Sequence, residues 1–419
     1  MTYTVASNSV TSKDSSNRRV VITGIGIVNP AGIGKTEFWN NISSGTSAIR
    51  RITRFDTTEF PTQVAGEIQS FEPAEFVPKR FVIKTDRFTH YALAATELAL
   101  KDAVLDLEQE DSYRVGVWFG NNAGGWDIAE RGFYELYNDG ATMVNPWQAT
   151  AWFPTAAQGF VTIRYGIRGY SKSFVCDRAS GASGLYFGAK SILQGYNDVV
   201  LTGGSEAPIT RFGMTCYYET GELSAVTDPD QAYQPFDRNR TGIVLGEGST
   251  VLVLESLEHA QQRGAKIYGE VLAGSSTTDR APDAGKAFER AMKNALQEAG
   301  IAPSGIDLLL AEGCGTQVSD RVEAQAIAAV FGEDAAQVAV TAPKALYGHL
   351  YGASCATEVA CGLMAMETGK LPVMQPLTNA DPDCTLNFVT QPEARSVSRI
   401  MVNSRAREAV NFSFIVGQL

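Results

Sequence analysis

Short apolar runs, each closed by glycine or a polar cluster, alternate along this chain with longer stretches of helical spacing. Arg19-Val20-Val21-Ile22-Thr23-Gly24 reads as a buried strand that stops at its glycine. Val115 to Phe119, Asp198 to Gly203 and Gly248 to Glu255 repeat the pattern. So do Asp307 to Ala311, Val338 to Thr341 and Asn411 to Val416. The alanine-rich segment Arg87 to Asp106 and the segment Lys286 to Ala299 carry apolar residues at helical spacing. Strands alternating with helices predict an α/β fold with mostly parallel sheets. The second half repeats the order of the first, though without enough identity to prove a duplication. A seam near Gln261 to Tyr268 divides the chain into a lead-in at 1–18 and two halves at 19–262 and 263–419.

Glycine clusters mark the expected turns. Gly24-Ile25-Gly26 lacks the third glycine of a dinucleotide fingerprint and is read as a tight turn. Gly203-Gly204-Ser205-Glu206 is read as a second turn. Gly124 to Phe133 opens a helix in which Trp126, Ala129 and Phe133 share one face.

With 419 residues, 44% of them hydrophobic, the chain can bury a large core in one or two domains. No apolar run approaches the roughly 20 residues that span a bilayer. Met1 to Asn17 is polar, lacks the apolar stretch of a secretory signal, and is expected to be disordered. A net charge of −11 speaks against nucleic acid as a partner, since phosphate binding needs a face rich in Lys and Arg. It also speaks against tight docking of an acidic carrier protein on this chain alone. Six cysteines without a CxxC pair, and three histidines, give no metal site. We expect reduced, mostly buried thiols in a cytoplasmic protein, a surface histidine at His259, and no cofactor.

The chemistry centres on Arg178. Cys176-Asp177-Arg178-Ala179-Ser180-Gly181 runs into a helical pattern, and its spacing to Gly203-Gly204 resembles the nucleophile elbow of the β-ketoacyl synthases. Pro235-Phe236-Asp237-Arg238-Asn239-Arg240-Thr241-Gly242, then Gly246-Glu247-Gly248, is similar to the family's PFD-x-x-R-x-G and GEG segments. Lys344-Ala345-Leu346-Tyr347-Gly348-His349-Leu350-Tyr351-Gly352-Ala353 is similar to its K-x-x-x-GH-x-x-GA segment. The resemblance covers residues 19 to 419. It implies a thiolase-like fold, two similar halves in α-β-α-β-α layers, and a dimer. In active members a cysteine carries the growing chain and two histidines bind the thioester and promote decarboxylation. Here the cysteine's position is Arg178 and the first histidine's is Glu312, while His349, Lys344 and Glu358 are kept. A guanidinium stays protonated and is no nucleophile. The family's glycine-rich gate aligns with Asn403-Ser404-Arg405-Ala406-Arg407-Glu408-Ala409, so its phenylalanine becomes Arg407 and its glycines become Ala or Glu. That change is expected to stiffen the loop and spoil the oxyanion site.

Trp147-Gln148-Ala149-Thr150-Ala151-Trp152-Phe153, with Thr162 to Gly169, closely resembles the ketosynthase-β subunits, or chain length factors, of type II polyketide synthases. Those subunits commonly carry glutamine where this chain has Arg178. The resemblance makes Trp126, Ala129 and Phe133 the lining of a polyketide tunnel rather than an ordinary core stripe. It implies a protein that is not an active enzyme alone. Such a subunit pairs with a ketosynthase-α and meets acyl carrier protein through that heterodimer. The alternative is a decarboxylase of malonyl carrier protein using His349 alone, although a structural hydrogen-bonding role suits His349 better. Arg178 and Glu312 are expected to form a buried ion pair in place of the thiol–imidazole contact.

Overall fold

The computed structural model describes residues 18–279, 285–407 and 410–419. The lead-in expected to be disordered falls outside them except for Arg18, which is ion-paired with Asp198. Glu408 and Ala409 of the gate also lie outside.

Each half of the chain contributes five strands in the same spatial order to one sheet, to which the first half adds the two-residue strand Gly32–Ile33 paired with Val20–Asn29. In the first half these are Val20–Asn29, Val115–Gly120, Lys172–Phe174, Val199–Glu206 and Gly248–Ser256. In the second they are Gly269–Thr278, Leu308–Leu310, Ala339–Thr341, Arg399–Arg405 and Val410–Gly417. Counted along the chain, both sets lie in the order 3-2-4-5-1. Strands 3, 2 and 4 are parallel, and strand 5 is antiparallel to both 4 and 1. The duplication that sequence identity leaves unproved is thus plain in the topology. The halves join where Val21 and Ile22 pair with Glu270 and Gly269.

The sheet is therefore mixed, not mostly parallel. The cause is visible in the second half, where only residues 406–409 separate Arg405 from Val410. So short a link allows a hairpin but not the crossover that a parallel pair needs.

Two helices, Ser180–Leu193 and Ser354–Thr368, form the middle layer between the two halves of the sheet. Their burial on nearly every side explains the absence of a polar stripe in Ser354–Thr368. Helix Arg87–Ala103 covers the outer face of the first half. Helix Lys286–Ala299 covers the second, turning Phe288, Met292, Ala295 and Leu296 inward and ending at Gly300 with φ 66°. The result is an α-β-α-β-α stack. No helix of the described residues is long and apolar enough to cross a membrane.

Neither glycine cluster read as a turn is one. Val20–Asn29 continues through Gly24 and Gly26 with a register shift between Ile22 and Gly24, and Val199–Glu206 contains Gly203 and Gly204. A Cβ on Gly26 would lie 1.9 Å from the carbonyl oxygen of Ala95, and one on Gly204 would lie 2.0 Å from that of Gly352. These glycines let helix backbone lie directly on strand backbone, which brings the segment around Gly352 close to the elbow.

Candidate functional site

The elbow keeps the geometry of a nucleophile turn. Asp177 has φ 47°, an αL conformation that costs little for Asp, and the helix Ser180–Leu193 starts just after it. A helix N-terminus lowers the pKa of a thiol placed there, but it repels a cation. Arg178 sits at this disfavoured position with only 3% of its surface exposed. Its charge is held by other means. Nη1 donates to Glu222 Oε2 at 3.3 Å and to Cys314 Sγ at 3.0 Å, and Nε donates to the Arg405 carbonyl at 3.2 Å. The Asp177 carboxylate lies 3.5 Å from Nε.

The expected Arg178–Glu312 pair does not form. Among the described residues, the carboxylates within 4.0 Å of Arg178 are Asp177 and Glu222. Glu312 instead accepts from His349 Nε2 at 2.7 Å and lies 3.7 Å from Lys344 Nζ. Lys344 in turn lies 2.6 Å from Glu358. The lysine carried over with the motif already neutralises Glu312, so the carboxylate has no need of the arginine. Burial opposes ionisation of Glu312, but Lys344 and His349 outweigh it and hold its pKa down at about 2. For Glu358, burial wins over Lys344 and pushes the pKa up to about 8.

His349 is fully buried and both ring nitrogens are engaged. Nδ1 accepts from the Tyr351 N–H at 3.0 Å, which leaves the proton on Nε2 facing Glu312. Burial lowers its pKa to about 4, so the ring is neutral near pH 7. Cys314, read from sequence as a core thiol, is part of this centre. Burial pushes it up to about 12 despite the adjacent Arg178, so it is a protonated thiol and not a substitute nucleophile.

Between Arg178, Glu312, Cys314 and Arg405 the residual space is about 10 Å³. That is about one water-sized probe, too little for an acyl thioester. Arg407 is exposed, donates to the Thr220 carbonyl at 3.0 Å, and presents its backbone N–H to Asp177 at 2.7 Å. Arg405 and Arg407 thus brace the elbow from two sides. Glu222, Cys314 and Arg405 are the members of this centre that sequence reasoning missed.

Trp126, Ala129 and Phe133 project from helix Trp126–Tyr134 into one cavity of about 600 Å³. Leu136, Val144, Gln148, Trp152 and Phe212 complete much of its wall. Phe212, which no sequence signal marked, packs its ring 5.2 Å from Trp126 and 5.3 Å from Phe133. Tilted and edge-on ring contacts then lead from Trp126 to Tyr217 at 5.9 Å, Tyr351 at 4.7 Å and His349 at 5.1 Å. Tyr217 and Tyr351 are buried and stand between the cavity and the filled centre.

His259 is not the plain surface histidine expected. It lies half-buried between Glu255, 2.5 Å from Nδ1, and Glu110, 2.9 Å from Nε2. Hydrogen bonding to Glu255 raises its pKa to about 9. None of the six cysteines is in a disulfide among the described residues, and Cys176 and Cys216 are only half-buried. No cluster of metal-ligating side chains occurs among the described residues.

Known proteins place this geometry in a family. The β-ketoacyl synthase N-terminal domain matches residues 17–260 and the C-terminal domain residues 265–378. The tetracenomycin polyketide synthase ketoacyl synthase beta subunit of Streptomyces glaucescens is 37% identical over 401 residues, 95% of this chain and 98% of that protein. A 3-oxoacyl-(acyl-carrier-protein) synthase 2 of Coxiella burnetii is 34% identical, over 96% of this chain and 99% of that protein. The solved structure of the ishigamide ketosynthase/chain length factor superposes with a TM-score of 0.86 at 30% identity, over 96% of this chain and 100% of that one. This chain, with its thiolase-like halves and a filled elbow, belongs to the β-ketoacyl synthase family and is similar within it to the ketosynthase β subunits of type II polyketide synthases.

Proposed function

We propose that this chain is a chain length factor, the non-condensing subunit of a type II polyketide ketosynthase heterodimer. One observation carries the reading: the centre at Arg178 is filled to about 10 Å³, while a separate apolar cavity of about 600 Å³ is kept. A chain that grows into that cavity must be bonded to a cysteine elsewhere, because this subunit offers no thiolate at the elbow. A ketosynthase-α with intact Cys-His-His would supply it. The carrier protein would then deliver its malonyl units to the heterodimer, where decarboxylative condensation takes place. Exposed Tyr134, Tyr137, Met143 and Phe153 flank the cavity-lining segments. They give the apolar surface a second subunit would cover. A decarboxylase acting alone fits less well. It would need an imidazole free to bind a thioester, and His349 has Glu312 on one nitrogen and Tyr351 on the other.

The test is co-expression with a ketosynthase-α and incubation with malonyl carrier protein. The expected result is a stable heterodimer that condenses, and an isolated chain that leaves malonyl carrier protein intact. Release of carbon dioxide by the isolated chain would overturn the reading in favour of the decarboxylase.

A further inference from the structure

We infer that the chain held in this cavity is reduced, a polyene or alkyl chain, and not a poly-β-ketone; the inference rests on the heterodimer reading only for how the chain arrives. A poly-β-ketone carries a carbonyl oxygen on every second carbon. Each oxygen leaves water on entering a cavity, and the loss is offset only if the wall supplies a donor. This wall supplies few.

Trp126 turns its indole N–H to the Ala123 carbonyl, and Gln148 turns its amide nitrogen to the Ile128 carbonyl. The backbone N–H of Gly125 goes to the Trp152 carbonyl at 2.9 Å, and that of Ala129 to the Gly125 carbonyl at 3.1 Å. Gly132 and Phe133 lie inside the helix Trp126–Tyr134, where N–H groups bond along the axis. The side chains of Leu136, Val144 and Phe212 offer carbon alone. Among the described residues, the Trp152 indole and the second Gln148 amide hydrogen are the side-chain donors left on this wall. Two side-chain donors cannot serve an oxygen on every second carbon. A hydrocarbon chain needs none, and the faces of Trp126, Phe133 and Phe212 give it close dispersion contact.

The test uses the full chain, purified with any subunit that accompanies it, and cis-parinaric acid, a tetraene fatty acid excited by energy transfer from tryptophan. Methyl decanoate and methyl 3,5-dioxodecanoate compete for the probe, and each potency is divided by the compound's own water–octanol partition ratio. Octanol can donate hydrogen bonds, so the correction removes ordinary hydrophobicity but not the missing donors. The expected result is a corrected preference of about fivefold or more for the decanoate. Ala129→Trp should weaken parinaric acid binding by about fivefold or more, which assigns the signal to this cavity. A dioxo ester that competes equally well after correction would overturn the inference, as would probe binding that Ala129→Trp leaves unchanged. Condensation by the heterodimer is a separate readout. A complex that condenses but prefers the dioxo ester sinks this inference alone, and one that prefers the decanoate but never condenses sinks the function reading alone.

Discussion

Glu222→Gln should destabilise the protein more than removal of the arginine it neutralises. Arg178 is 3% exposed and cannot release its proton, so it remains a buried cation whatever happens around it. Breaking a buried pair from one side typically costs 3–5 kcal/mol. Two features reduce that figure here. The Glu222 side chain is 19% exposed, and Asp177 remains 3.5 Å from Nε after the substitution. We therefore expect a loss of about 2–3 kcal/mol for Glu222→Gln. Arg178→Met removes the cation and its desolvation together, and Glu222 can turn to water. Its cost should stay within about 1 kcal/mol of the parent. In the double variant the Glu222 change should then cost little, giving a coupling energy of about 2 kcal/mol. Urea midpoints for the four proteins at one fixed concentration measure the cycle, since assembly shifts apparent stability. If Glu222→Gln cost less than about 0.5 kcal/mol, or Arg178→Met cost as much as Glu222→Gln, the account of how this cation is held would be wrong.

Other outcomes follow from the same geometry. Arg178→Cys should not restore acylation, because Glu312 stands where a histidine is needed and the pocket is filled; intact mass after incubation with acyl carrier protein should show no adduct on this chain. In the proposed heterodimer, Trp126→Ala or Phe133→Ala should lengthen the product and Ala129→Trp should shorten it, and an unchanged product distribution in folded, active complexes would refute the tunnel assignment. His259 has a folded pKa of about 9 against an ordinary 6.5, so its stabilisation is complete below about pH 6.5 and fades as pH rises through about 9. Denaturation of His259→Gln should accordingly show a loss of about 1–2 kcal/mol at pH 6 and almost none at pH 10, with a pH-independent loss counting against the ion cluster.

What the sequence discloses and what it hides differ for physical reasons. The meeting of Arg178, Glu312 and His349 around one centre is legible because all three sit inside long motifs. Their partners are not legible, because contacts between distant segments leave no periodicity. Cys314 lies two places from Glu312 and still reads as a core thiol, since residue type says nothing about a neighbouring guanidinium. The expected Arg178–Glu312 pair does not form because Lys344, in the same motif as His349, already neutralises Glu312. Gly24, Gly26, Gly203 and Gly204 mislead because a missing Cβ signals a turn and a close backbone crossing equally well. Strand Gly269–Thr278 escapes notice through its Gly, Ser and Thr, and Arg399–Arg405 through the arginines at its ends. Both are set by pairing with neighbours more than by their own composition.

The 3-2-4-5-1 order also governs how the molecule can be assembled in time. In each half the strand made last is inserted between the first and the fourth, so it is interior and not an edge. Gly248–Ser256 must arrive before Val20–Asn29 joins its sheet, and Val410–Gly417 before Gly269–Thr278 does. Until then each first strand carries open hydrogen-bonding groups and an apolar face. Long-range closure of this kind slows folding and exposes partly made sheets to aggregation. A translating ribosome would therefore hold the first half as an unclosed sheet across some two hundred residues of synthesis, the interval in which a chaperone has most to protect.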